Sequence, residues 1–416
     1  MFRRRAPRRR QVSATSDGTA HIESEKTKMN AVSRTSPERS PATNAVSRTR
    51  LVRSSTLLML AVVAAALAAG CAHTGRGYGE KPRNVVLMIG DGMGVAHVTA
   101  AMVVGGPLNM ERMPEGGFVT THAANTFLTD SAASGTALAT GHKTNNGMVS
   151  VTPDGEHLKT VLEYAEDAGM STGLVTTCSI THATPAVFVS HVESRDDDLA
   201  IARQVAASQA DVLFGGGLTY FVPKSQKGGA RDDDLDLLSE MRKRMNVALT
   251  PDEFEAMPGK GAAAALLYRG HPPRAGDRQV SLAEMTSKAL DILSDDEDGF
   301  FLMVEGSQID WAGHENDEDW LIEEMIDFDE AVGEVLDFAE EDKQTLVVVT
   351  ADHECGGYLL IDASPESRKV TWWKFGTDTH TATMVPLLAY GPGSNELGGI
   401  RDNTSLGRIL IGHVRR

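Results

Sequence analysis

Six short runs without a charged residue set the strongest limit on the fold: Val85–Ile89, Thr172–Cys178, Val212–Phe214, Phe300–Val304, Leu346–Thr350 and Val385–Ala389. A strand with one solvated face alternates polar and apolar residues. A run apolar on both faces has to be covered on both, as in a parallel sheet flanked by helices. Helical periodicity fills the spaces between the runs. Leu158, Val161, Leu162 and Ala165 share one face, and Leu321, Ile322, Met325, Ile326, Val332, Val335 and Leu336 form a stripe beneath an acidic, solvated face. The pattern predicts an α/β fold, a three-layer α/β/α sandwich around a mostly parallel central sheet. Residues 223–279, rich in Gly, Pro and charge, break it and are expected to be an inserted cap or loop region rather than sheet core.

The net charge of -17 hides two unlike pieces. Residues 1–70 hold 13 Lys+Arg against 4 Asp+Glu, which leaves 27 against 53 in the rest, a net of -26. So acidic a body repels a phosphate backbone, which excludes nucleic acid as a specific partner. A small anionic substrate is still admissible, because bound cations can invert the local field. Thr56–Ala69 carries no charge, follows Arg48, Arg50 and Arg53, and runs into Ala68-Ala69-Gly70-Cys71. It is short for a membrane span and reads as a secretory signal peptide. The Cys after Ala-Gly is similar to a bacterial lipobox, so Cys71 is expected to be lipidated and to become the new N-terminus. Residues 1–70 are thus a basic leader and signal peptide, and 71–83 a linker. The expected location is periplasmic or cell-surface, with a lipid anchor. Cys178 and Cys355 lie in strand-like contexts; two cysteines make no disulfide scaffold for so large a body, and two buried free thiols are expected.

Ligands of an open α/β sheet bind beyond the carboxyl ends of its strands. Val85–Ile89 is followed by Gly90-Asp91-Gly92-Met93-Gly94, and Thr172–Cys178 by Ser179-Ile180-Thr181-His182-Ala183-Thr184-Pro185. Phe300–Val304 leads to Glu305, Asp310, Trp311 and His314, and Leu346–Thr350 to Asp352-His353-Glu354. One Asp at a strand end is ordinarily a helix cap; four strand ends delivering carboxylates and imidazoles to one edge are not explained by capping. Asp310 and His314 are four apart, on one face of a helical turn, where they could grip one ion. Such a mixed set suits catalytic zinc. Ser131, in Thr129-Asp130-Ser131-Ala132-Ala133, stands at the opening of an Ala-rich helix, where unpaired N–H groups favour an oxyanion. No Gly-x-Ser-x-Gly elbow is present, so this serine needs a metal for activation. His97, His122, His142, His157, His191, His271 and His413 are read as ordinary core or surface side chains.

Taken together, Asp91-Gly92-Met93-Gly94, Thr129–Ala133, His182-Ala183-Thr184-Pro185, Glu305 through His314, Thr350–Glu354 and His380-Thr381-Ala382 resemble the ordered signature blocks of alkaline phosphatases. The resemblance runs from about Asn84 to the C-terminus and makes 84–416 the catalytic domain. It implies that Ser131 is a transiently phosphorylated nucleophile. It implies two zinc ions, one on Asp310, His314 and His380 and one on Asp91, Asp352 and His353, and a magnesium on Asp91, Thr184 and Glu305. Arg195 matches the arginine that clamps two phosphate oxygens, for which its planar fork is suited. His182 stands near the third metal, where some members carry aspartate, and Trp311 where members carry lysine, histidine or tryptophan.

The resemblance further implies a broad-specificity phosphomonoesterase with small phosphate monoesters as substrates; a homodimer is admissible, and the sequence leaves the oligomeric state open. A phosphodiesterase of the same superfamily, or a phosphate- or metal-binding lipoprotein without turnover, are the alternatives. A sulfatase would carry Cys/Ser-x-Pro-x-Arg, and the chain after Ser131 reads Ala-Ala-Ser-Gly.

Overall fold

The computed structural model describes residues 81–415. The leader, Cys71 and most of the linker lie outside the described residues. The first four strands are β1 (Asn84–Gly90), β2 (Glu115–Thr120), β3 (Ser171–Ser179) and β4 (Val212–Gly216). Next come β5 (Asn246–Ala248), β6 (Ala263–Leu266), β7 (Phe300–Gly306) and β8 (Thr345–Thr350). The last six are β9 (Glu354–Cys355), β10 (Leu359–Ser364), β11 (Lys369–Lys374), β12 (His380–Thr381), β13 (Val385–Tyr390) and β14 (Gly399–Asp402). Ten of them form one sheet in the order β14-β2-β13-β8-β1-β7-β3-β4-β6-β5. Only β13 pairs antiparallel with its neighbours; the other nine strands share a direction. The α/β sandwich read from the apolar runs is what the chain forms. β1, β7 and β8 are buried along their whole length, which is why their sequences carry no polar alternation.

Two sets of helices cover the sheet. Leu282–Leu293, Glu318–Asp342 and Val95–Gly105 pack together on one side, and Ser131–Thr140, Val161–Asp167, Ala183–Val189 and Asn403–Val414 on the other. The acidic-faced stripe from Leu321 to Leu336 lies within Glu318–Asp342. The shorter helix begins at Val161, later than its apolar face suggested, because Thr160 caps it and exchanges hydrogen bonds with Glu163. Leu158 therefore lies before its first turn.

The segment 223–279 departs from expectation. It supplies β5 and β6, which extend the central sheet at one edge rather than capping it. The reason is compositional. Ala263-Ala264-Ala265-Leu266 is a fully buried strand whose small side chains give a weak apolar signal, and β5 is three residues long. The excursion that does leave the sheet is the antiparallel hairpin β10–β11.

His97, on the helix Val95–Gly105, is wholly buried, and its Nδ1 accepts the N–H of Gly94 at 2.6 Å. Burial holds its pKa down at about 4, against the ordinary 6.5. Between pH 6.5 and 4 the unfolded chain binds a proton that the folded one refuses, so stability falls as pH falls through this window. The contribution is on the order of 3 kcal/mol at the acid end. His97→Asn, which keeps an acceptor for Gly94, is expected to flatten that part of the pH–stability curve in denaturant titrations; an unchanged slope would refute the assignment.

Candidate active site

Because β1, β3, β7 and β8 are parallel neighbours, their carboxyl ends open on one edge. Asp91 follows β1, Cys178 is next to last in β3 with His182 just beyond, Glu305 is next to last in β7, and Asp352 and His353 follow β8. The turn after β1 depends on Gly92, at φ 77°; a Cβ there would lie 2.6 Å from the Cα of Asp310. Only glycine lets this turn and the Asp310 backbone come so close. Asp310 and His314 share a face of the helix Gln308–Glu315, with His314 Nε2 3.4 Å from Asp310 Oδ2. His380 is remote in sequence and is returned to the site by pairing of β12 with β9, which sets it opposite Cys355. Its Nε2 lies 3.4 Å from Asp310 Oδ1.

The donor atoms are presented for a cation. His314 Nδ1 meets the carbonyl of Asp378 at 2.8 Å and His380 Nδ1 that of Thr129 at 2.8 Å. Each Nδ1–H is thereby spent on the backbone, which aims the Nε2 lone pair inward, an arrangement typical of ligating histidines. The two Nε2 atoms face each other at 3.2 Å with Asp310 beside them. Two lone pairs so close need a proton or a cation between them. Asp310 Oδ1, Asp91 Oδ1, Asp352 Oδ2, Glu305 Oε1 and His353 Nδ1 are all buried and take part in no hydrogen bond. Native interiors rarely leave such atoms unpaired, and here five converge. Among the described residues, Asp310, His314, Cys355 and His380 have potential ligand atoms within 4.8 Å of one another, as do Asp91, Asp352 and His353. The residues fit the metals that the sequence implies.

Electrostatics agree. Burial raises the Asp91 carboxyl well above the usual range, with Asp352, Asp310 and Glu305 adding to the effect, and burial pushes Glu305 up to about 7. Asp310 is held far below the ordinary value although burial opposes it, through its bond to His314 and the charges of His353 and His380. His314 rises to about 9, chiefly through its bond to Asp310. Clustered carboxylates that cannot all be charged without cations are a mark of functional sites.

Ser131 opens the helix Ser131–Thr140, which is buried throughout; its Oγ is 3.2 Å from His353 Nε2. Asp130 caps that helix through Ala133 N–H at 2.9 Å. Its other oxygen accepts Gly147 N–H at 2.9 Å and Arg195 Nη1 at 3.2 Å. Arg195 Nη2 lies 3.1 Å from His182 Nε2, so the guanidinium is held from two sides beside the serine. Thr184 Oγ1 donates to Asp91 Oδ2 at 3.3 Å, while Thr176 Oγ1 donates to Glu305. Trp311 stands edge-on to His182, ring centroids 6.0 Å apart.

Every residue singled out within the described region thus comes to one edge of the sheet. Three others arrive there that sequence reasoning passed over. Asp130 holds Arg195. His271, read as ordinary, has its ring 4.7 Å from Trp311 and 5.8 Å from His182, and its Nδ1 accepts Ser179 N–H at 3.0 Å. Ser134 donates to the Asp352 carbonyl at 2.6 Å and accepts from Asn403, tying the serine helix to the β8 end. Cys178 and Cys355 are buried free thiols, as expected.

The sequence model of the alkaline phosphatase family matches residues 82–367. Alkaline phosphatase 3 of Bacillus subtilis (strain 168) is 40% identical over 304 residues, 68% of this chain and 64% of its own length. Streptomycin-6-phosphate phosphatase of Streptomyces griseus is 35% identical over 430 residues, 85% of this chain and 94% of its own. The match to the Bacillus protein therefore spans a little under two thirds of that relative. The solved alkaline phosphatase of the Antarctic bacterium TAB5 superposes with a TM-score of 0.75 at 36% identity, covering 81% of this chain and 98% of that one.

Proposed function

This chain belongs to the alkaline phosphatase family, and we propose that it hydrolyses phosphate monoesters through a phosphoserine at Ser131. The observation that carries the proposal is Ser131 Oγ 3.2 Å from His353 Nε2, in a site where carboxylate oxygens of Asp91, Asp310 and Asp352 lie buried without hydrogen-bond partners. Two zinc ions, on Asp310, His314 and His380 and on Asp91, Asp352 and His353, with a magnesium on Asp91, Thr184 and Glu305, would supply Lewis-acid stabilisation of the phosphoryl and serine oxygens. The chain's own residues do the rest. Arg195 offers two N–H groups to two non-bridging oxygens, and Asp130 and His182 set its direction beforehand. Ser131 Oγ bonds to phosphorus as the alcohol leaves on the far side, taking the serine's proton. Water then attacks the same phosphorus in line; its hydroxyl stays on phosphate and its proton returns to Ser131.

Arg195 would take two non-bridging oxygens and the cations a third, which favours monoesters, since a diester has only two. The expected result is kcat/KM for p-nitrophenyl phosphate at least a hundredfold above that for bis(p-nitrophenyl) phosphate. The reverse order would make the chain a diesterase, and no turnover of either would make it a binding protein. We further propose export with lipidation at Cys71. The Arg-flanked apolar run ending in Ala-Gly-Cys supports it, and the intact mass of the exported protein tests it: an unmodified N-terminus beginning after Cys71 overturns lipidation.

A further inference from the structure

Cys178 lies at the end of β3 with its side chain in the wall of the site. Its Sγ lies 3.5 Å from Glu305 Oε2, 3.0 Å from Thr176 Oγ1 and 3.3 Å from the Ser179 carbonyl. A buried cysteine surrounded by apolar groups would be mere packing; this one is set among oxygens. Two further atoms point to a ligand there. Glu305 is fully buried and its Oε1 has no partner, and His182 Nδ1 is buried with no partner. Cys178, His182 and Glu305 form the third group among the described residues whose potential ligand atoms lie within 4.8 Å of one another.

We propose that Cys178, His182 and Glu305 form a soft-donor cation site that takes zinc, sharing Glu305 with the oxygen set of Asp91 and Thr184. It rests on the metal-bearing site proposed above but not on the phosphoserine chemistry. Magnesium prefers six oxygens in octahedral array and has little use for sulfur or imidazole. A thiolate, an imidazole and a carboxylate with an open position are a zinc donor set. Bond lengths of roughly 2.0–2.3 Å put tetrahedral ligand atoms about 3.3–3.8 Å apart, so the group has to close by about 1 Å. Binding releases the Cys178 proton to solvent. One end of β3 therefore offers the shared glutamate a choice between a hard and a borderline cation.

The geometry also couples this choice to the phosphate clamp. His182 Nε2 accepts from Arg195 only while Nε2 carries no proton. Ligation through Nδ1 leaves the proton on Nε2, and ligation through Nε2 uses the lone pair. Either way the bond to Arg195 is lost, so zinc at this site frees the guanidinium from one of its two supports. Excess zinc is expected to raise KM for a phosphate ester several-fold more than it lowers kcat, and Cys178→Ser to remove that split.

The deciding experiment is independent of turnover. Full-length protein is stripped of metal, saturated with magnesium and titrated with cobalt(II), and thiolate-to-cobalt charge transfer is read in the near ultraviolet. A band is expected in the wild type and in Cys355→Ser, and none in Cys178→Ser or Cys178→Ala. No band in the wild type, or one that survives loss of Cys178 and vanishes with Cys355, overturns the proposal; the latter would place the sulfur with Asp310, His314 and His380. Should both Cys178 variants fail to fold, zinc-edge X-ray absorption of the Cys71→Ser, Cys355→Ser protein decides. A sulfur shell near ~2.3 Å supports the site, and nitrogen and oxygen shells alone overturn it. Ser131→Ala should show the same cobalt band, so failure of the hydrolytic reading and failure of this one are read separately.

Discussion

Ser131→Ala is expected to lose about three orders of magnitude or more in turnover of p-nitrophenyl phosphate while binding the same complement of metal. The hydroxyl makes a single hydrogen bond, with His353 Nε2, and the residue is 2% exposed. Its removal deletes the proposed attacking atom but none of the carboxylates or imidazoles. Methyl for hydroxymethyl at the first position of an Ala-rich helix strains nothing, and the cap is supplied by Asp130. Fold and metal content should therefore stay close to those of the wild type, as checked by circular dichroism and elemental analysis. Residual hydrolysis should remain, because Arg195 and the cations still stabilise the transition state for direct attack by water. Stereochemistry separates the two routes. The wild type should give net retention at phosphorus, the sum of two inversions, and should pass phosphate to added Tris. Net inversion in the wild type, with no transfer to alcohol, would mean that Ser131 is not the nucleophile.

How far such a site can be read from sequence depends on how its residues are brought together. Asp91, Glu305, Asp352 and His353 each follow or end an apolar run, and parallel strands place such ends on one edge whatever the loops do; Asp310 and His314 follow from helical spacing alone. His380 follows from neither. It reaches the site through the short β9–β12 pairing, after an excursion that includes the β10–β11 hairpin, and only family resemblance pointed to it. His271 obeys the strand-end rule, since it lies five residues beyond β6. It went unnoticed because the Ala-rich β6 fell in the segment set aside as a cap, and the rule cannot be applied to a strand that is not seen. Asp130 was legible as a helix cap, and it is one. Its second role depends on Arg195, 65 residues away, and no local pattern carries that. For the cysteines, burial was predictable from context, but the proximity of Cys178 to the candidate metal ligand Glu305 was not, because it arises from β3 lying beside β7.

Exhaustive chelation should abolish activity and lower the melting temperature by about 10 °C or more, with zinc and magnesium restoring both. A cation that binds only the native state at a thousand times its Kd contributes about 4 kcal/mol, and the proposed site would hold several. The stripped protein faces a second cost, because Asp91, Glu305, Asp310 and Asp352 are left buried within one site. That cost has a sign that can be checked against pH. Glu305, raised to about 7 in the folded state by burial, holds its proton more tightly folded than unfolded. Its favourable contribution is present at low pH and is lost as pH rises from about 4.5 through 7, on the order of 3 kcal/mol. Burial and the neighbouring carboxylates raise Asp91 in the same direction. His314, raised to about 9 by Asp310, adds stability below its unfolded pKa that also disappears as pH rises. All three favour metal-free protein near pH 5 over pH 8, and below pH 6.5 buried His97, His182 and His380, whose pKa values are lowered by burial, act in the opposite direction. Bound cations remove the reason for the carboxyl groups to hold protons and displace the proton on His314, so the loaded protein should not share that trend. Melting curves of stripped and reloaded protein across pH 5–8 test both parts. Full activity in protein verified as metal-free would refute the metal centre, and a stripped Glu305→Gln protein with the same pH dependence of stability between 4.5 and 7 as stripped wild type would mean that the Glu305 carboxyl is not held protonated by its surroundings.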